Sequence, residues 1–120
     1  MPAAIYDIVI EQGATFQKTV VLKDSDGSPR DLTLVEEVRG QLRETFQSTR
    51  AFDFVLTVSN TPTDGTITWT MPATTTSQIN LNPQKTFVYD VEMVFQNGTV
   101  ERILQGKASL SLEVTRDCDI

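Results

Sequence analysis

The stretch "FVYDVEMVFQNGTVERILQGKASLSLEV", residues 87–114, constrains this chain more than any other. Apolar and polar side chains alternate on both sides of Asn97-Gly98, which is the period of a half-buried strand. Asn-Gly is the strongest short-range hairpin signal, because a two-residue type I′ loop needs positive φ at both positions. Such a loop predicts Gln96 opposite Thr99, Phe95 opposite Val100, Met93 opposite Arg102, Val91 opposite Leu104 and Tyr89 opposite Gly106. One face is then apolar except for Arg102. The other carries Asp90, Glu92 and Val94 against Glu101, Ile103 and Gln105. A slip of one residue exchanges the faces, so turn and pattern support each other. Past Gly106, the residues Ala108, Leu110, Leu112 and Val114 continue an inward set. Gly106 reads as a bulge, or as a bend where one long strand changes sheets.

The rest of the chain has the same grain. "IYDIVIEQG" places Ile5 and Val9 on one side and Tyr6, Ile8 and Ile10 on the other, a strand with both faces partly covered. "TFQKTVVL" sets Phe16, Val20 and Leu22 on one face, with Lys18 among them. "VRGQLR" alternates Val38, Gly40 and Leu42 against Arg39, Gln41 and Arg43, and the preceding "DLTLVEE" is either a short turn or the strand's lead-in. "AFDFVLTVS" repeats Phe52, Phe54, Leu56 and Val58 at period two, and "TITWTM" aligns Ile67, Trp69 and Met71. "PATTTSQINLNP" breaks the period; its Thr/Ser start and its Ile79 and Leu81 predict one loose helical turn across an end of the fold, stopped by Pro83. Seven or eight short strands with turn signals at roughly ten-residue spacing predict a sandwich or barrel. The expected fold class is an all-β, immunoglobulin-like antiparallel β-sandwich with one short helical turn. It forms a single domain over residues 1–120, with a core from 5 to 116 and a tail from 117 to 120.

Composition narrows the chemistry. The chain has no histidine, which removes the commonest general base and the commonest neutral metal ligand. Its one cysteine, Cys118, excludes an internal disulfide and reads as a thiol in a frayed tail. Neither a GxGxxG nor a GxxxxGK[ST] phosphate loop is present. The net charge of −6 repels phosphate backbones. The densest basic cluster, Arg39, Arg43 and Arg50, is interleaved with Glu36, Glu37 and Glu44 and reads as a solvated mixed-charge surface. No apolar run approaches the roughly 20 residues of a membrane span. The start "MPAAIYDIVIEQG" has no basic n-region, so a secretory signal is not expected. Direct nucleic-acid binding, membrane association, a metal and a cofactor are all unexpected.

Four features remain as candidate sites. Asp90 and Glu92 share a strand face about 7 Å apart, a separation two catalytic carboxylates can use, but a solvated strand face is the simpler reading. "DSDG", residues 24–27, has the start of a calcium loop, yet Pro29 and Val35 stand where the EF-hand pattern needs glycine and glutamate, so it reads as a β-turn. Trp69 could stack on a sugar but sits at core period between Ile67 and Met71. Arg102, on the apolar face of the hairpin, either snorkels out at the sheet's end or pairs with an acid of a neighbouring subunit.

An opening strand followed by "EQGATFQKTVVLKD", "RDLT", "VRGQLRE", "DGTITWTMPATTT", "FVYDVEM" and "NGTVERILQGKASLSLEVTR" resembles a family of small phage proteins. Its best-described members are the N-terminal β-sandwich domains of upper baseplate proteins in tailed phages. The most specific pieces are Tyr89, Asp90 and Glu92 in "YD.E", and Gly106 with Glu113 to Arg116 in "G…EVTR". The resemblance spans about Ile5 to Arg116 and includes no catalytic motif. It implies a non-enzymatic virion structural protein, made in the host cytoplasm. Such a protein docks onto a tail, baseplate or neck lattice in multiple symmetric copies, with other virion proteins as partners. Because the sequence ends at "EVTRDCDI", a lone module is expected rather than one reaching a distal receptor-binding tip. The alternatives are a capsid decoration (cement) protein and a glycan-binding adhesion module. The contact residues expected are the exposed apolar or edge positions Ile5, Tyr6, Val94 and Ile103, with Arg102 as an ion-pair anchor.

Overall fold

A computed structural model describes residues 3–45, 51–79 and 86–111. Arg50, Leu81, Pro83, Leu112, Val114, the Glu113 to Arg116 ending and Cys118 lie outside the described residues. In chain order the strands are β1 (Ala4–Ile5), β2 (Ile8–Glu11), β3 (Phe16–Val21), β4 (Val35–Arg43), β5 (Ala51–Asp53), β6 (Val55–Val58), β7 (Thr66–Met71), β8 (Thr86–Phe95) and β9 (Val100–Ser111). A 3-10 turn at Pro62–Asp64 precedes β7, and a four-residue helix α1 (Ala73–Thr76) follows it. The larger sheet runs β1-β9-β8-β4-β5, with β2 also on β9, and the smaller runs β3-β7-β6. The chain is thus an all-β sandwich, as the alternation predicts.

Three differences from the sequence reading have physical causes. First, the sandwich is not wholly antiparallel: β1 and β2 both pair parallel to β9, with Ile5 opposite Gln105 and Ile8 opposite Ala108. Second, the described residues form nine strands because two predicted ribbons are broken. The N-terminal ribbon is interrupted at Tyr6–Asp7. "AFDFVLTVS" leaves the larger sheet at Phe54, whose N–H still donates to the Gly40 carbonyl at 3.0 Å, and then joins β7 as β6. Third, Gly106 does not mark a change of sheet. Strand β9 stays in one sheet for its 12 residues, and Gly106 is where the N-terminal chain, kinked between β1 and β2, passes across its face. A Cβ there would lie 2.3 Å from the Tyr6 carbonyl oxygen, so only glycine admits that approach.

The Asn97-Gly98 turn forms, but in a different class. The Gly98 N–H donates to the Phe95 carbonyl at 2.9 Å and the Phe95 N–H to the Thr99 carbonyl at 2.8 Å. Gly98 has φ +89°, whereas no described non-glycine residue has positive φ. The loop therefore has three residues, a type I turn closed by a left-handed glycine, rather than type I′. Pairing near the turn moves by one residue: Val94 faces Val100, Met93 faces Glu101 and Glu92 faces Arg102. An irregularity between Val91 and Glu92 takes up the extra residue, and Val91 faces Leu104 and Tyr89 faces Gly106 as expected. The bulge buries Ile103 and Leu104 side by side and turns Arg102 to the outer face.

The core is an aromatic cluster at the sheet interface. Trp69 is 0 % exposed, with its ring centroid 5.2 Å from those of Phe16 and Phe54 and 5.3 Å from that of Tyr89. An indole of 150–250 Å² buried at about 25 cal/mol per Å² contributes roughly 4–6 kcal/mol, an upper bound. Val91, Met93, Leu42, Ile67 and Met71 surround it. The short helix closes one end. Thr76, at its last turn, is fully buried; its hydroxyl donates to the Ala14 carbonyl at 2.8 Å and accepts from the Gly13 N–H at 3.1 Å. The outer face of the smaller sheet is rich in threonine. Thr19, Thr68 and Thr57 form one cross-strand row, and Gln17, Thr70 and Val55 another, where branched side chains suit the pleat.

Replacing Gly106 by alanine forces a methyl group against main chain that cannot yield without unpairing β1. The expected cost is about 1–3 kcal/mol, read as a lower urea midpoint, with loss of the β1 cross-strand contacts in NMR spectra.

Candidate docking edge

The N-terminal edge is assembled around the Gly106 crossing. Strand β1 brings the Tyr6 N–H to the Gln105 carbonyl at 2.9 Å. The backbone then leaves the ladder for one residue, and the Asp7 carboxylate accepts the Lys107 N–H at 3.0 Å in place of a main-chain carbonyl. Strand β2 resumes the parallel pairing. Beneath the crossing, the Tyr89 hydroxyl donates to the Tyr6 carbonyl. Burial first, then the negative charge of Asp7, pushes the Tyr89 phenol pKa above its ordinary value of 10.0. The Lys18 ammonium lies 5.8 Å from the centroid of the Tyr6 ring, so a lysine on the inward face of β3 reaches out at the sandwich's open side.

This arrangement leaves apolar side chains outward on an edge strand. Ile5 is 77 % exposed, Val9 60 % and Tyr6 45 %. In the register, Ile5 lies beside Gln105 and Val9 beside Ser109 on the outer face. Among the described residues no strand pairs with the other side of β1 or β2. Of the expected contact residues, the structure brings Ile5 and Tyr6 together here. Val94 is half-buried near the hairpin end. Ile103, expected at the surface, is 8 % exposed, because the bulge turns it into the core. Val9 was missed: alternation places it beside Ile5 but does not show that its strand is an edge.

Arg102, expected on the apolar face, stands on the outer face with its Nε 3.4 Å from Asp90 Oδ2 of the same chain. Arg39 Nε lies 3.0 Å from Glu92 Oε1. The acid pair Asp90/Glu92 is thus flanked by two guanidinium groups on an open strand face. Burial raises the Asp90 pKa, and Arg102 opposes that shift. At the hairpin end the register shift turns Glu101 toward the inner side, where Arg30 meets it through two bonds of 2.8 and 2.7 Å. That bidentate pair, led by the hydrogen bonds, holds the Glu101 carboxyl below its usual range. The "DSDG" segment is a turn, with the Gly27 N–H on the Asp24 carbonyl at 2.9 Å and the Asp24 N–H on the Ser28 carbonyl at 2.8 Å. Among the described residues no three acidic or cysteine side chains group as metal ligands.

No family model matches the chain, and no curated protein is significantly similar to it. Among solved structures it is similar to the SrpA adhesin of Streptococcus sanguinis, at 12 % identity and a TM-score of 0.51, over 88 % of this chain and 55 % of that one. An internalin-like protein of Listeria monocytogenes gives 14 % identity and a TM-score of 0.44, over 91 % of this chain and 28 % of that one. The chain thus spans about half the length of the first structure and just over a quarter of the second. The likeness to the adhesin is one of fold.

A phenol whose folded pKa lies above its unfolded value gives stability that is whole below pH 10 and is lost as pH rises through the folded value. Tyr89→Phe is expected to cost about 1 kcal/mol at pH 7 by orphaning the Tyr6 carbonyl. It is also expected to flatten the loss of stability above pH 10. Urea midpoints from pH 7 to 11 check both.

Proposed function

We propose that this chain is a non-enzymatic structural module, a virion protein that docks onto a phage tail, baseplate or neck lattice in repeated copies. The observation that carries the reading is the preformed edge of β1 and β2, with Ile5 and Val9 outward on strands held to β9. Exposed apolar residues on an unpaired edge are a site for addition of another chain. Repetition on a symmetric lattice multiplies contacts that are individually weak. The phage assignment rests on the sequence resemblance, and the fold accords with it. On the outer face two ion pairs form within the chain, Arg102 with Asp90 and Arg39 with Glu92. An adhesion module reading sugars through Trp69 or Tyr89 is disfavoured, because both rings are buried.

Mass spectrometry of purified particles is expected to find the chain at a fixed copy number. The Ile5→Lys/Val9→Lys variant is expected to fold as the parent does and to be depleted from particles at least about tenfold, the equivalent of 1.4 kcal/mol. Absence of the parent chain from particles, or equal incorporation of the variant, would count against the reading.

A further inference from the structure

A second free edge lies on the opposite side of the larger sheet. Strand β4 pairs with β5 only from Gln41 to Arg43, and the last bond between them is Phe54 N–H to Gly40 carbonyl. By the two-residue alternation of an antiparallel ladder, Val38 turns its N–H and C=O to the same side as Gly40. No described strand meets them there, because the chain has left for β6, itself the outer strand of the smaller sheet. Between these two edges runs a cleft of about 420 Å³. Its apolar wall includes Phe54 and Leu56, and its rim carries Glu37, Asp53, Asp90 and Glu92; Arg39 reaches Glu92 and Glu37, and Arg102 reaches Asp90 from beside the cleft, so acids outnumber bases there.

We propose that this cleft receives an extended basic segment of a partner protein, which adds to β4 as a further strand. An added strand presents alternate side chains to opposite faces. Apolar residues of the segment turn toward Leu56 and Phe54, and lysines or arginines turn toward the acidic rim. The occupant is not a second copy of this chain. The chain carries −6 overall, Glu36 and Glu37 sit on this edge, and the pairing is irregular between Val35 and Glu37. Charge and bulges on an edge protect it from like copies. A cationic strand meets those same charges as attraction. Asp53 stands on this rim, where its carboxylate accepts a hydrogen bond from Gln41 Nε2 at 2.8 Å. The site is separate from the β1–β2 edge, so the two surfaces would let one copy bridge two neighbours.

The test uses the full chain and an acetylated, amidated hexapeptide of alternating lysine and valine, titrated in ¹H–¹⁵N spectra. Saturable shifts are expected at the amides of residues 37–40 and 54–56. The Glu37→Gln/Asp53→Asn variant, which keeps both side-chain shapes, is expected to bind about three- to tenfold more weakly, as two surface charge pairs are lost. High salt is expected to weaken binding likewise. Equal binding of an alternating glutamate–valine hexapeptide, shifts confined to other surfaces, or no saturable shift would each overturn the proposal.

Discussion

The fold depends on one close approach, that of the Tyr6 carbonyl to Gly106. Strand β9 is the hub of the larger sheet: β8 pairs along one side, and β1 and β2 share the other. Both parallel segments keep to that one edge, and the kink between them passes across the face of Gly106 without a clash. The crossing succeeds because Gly106 has no side chain, because Asp7 supplies an acceptor where the main chain has left the ladder, and because Tyr89 donates to the carbonyl that the kink exposes. The Tyr89 hydroxyl, the Tyr6 carbonyl and the Lys107 N–H are thereby all paired, as such a kink requires.

A second constraint acts at the other end of β9. A three-residue loop shifts the hairpin by one position, and a bulge restores it five residues later. The shift has a cost, since it directs Glu101 inward. Arg30, from the long connection between β3 and β4, meets that carboxylate with two hydrogen bonds and lies 5.9 Å from the Phe95 ring centroid. The ion pair therefore ties a loop to the hairpin as a consequence of register, and the same shift frees Arg102 to hold Asp90.

Much of this was readable from the residues. Period-two alternation placed Val38, Leu42, Phe52, Phe54, Ile67, Trp69 and Met71 in the core, and all are buried. It also predicted a turn at Asn97-Gly98. It did not distinguish a two-residue loop from a three-residue one, because both use glycine in the left-handed region and only tertiary packing selects between them. The consequences fell on the site residues: Ile103 went inward and Arg102 outward. Parallel pairing of the first strand was also hidden, since alternation reports which face a residue occupies and not which neighbour its strand chooses. Ile5 and Tyr6 are exposed as expected, because edge position and apolar character coincide at the start of the sequence.

On this view the first strands are part of the sandwich itself, so that the proposed docking edge is formed in the isolated chain. Preorganisation of that kind lowers the ordering cost of association. Amide hydrogen exchange on the isolated protein tests it most directly. The Tyr6 and Gln12 N–H groups, bonded to the Gln105 and Ser111 carbonyls, are expected to exchange as slowly as the amides between β8 and β9. Exchange at the rate of the exposed Asp24–Ser28 turn would show that the first strands fray from the sheet, and would contradict the account.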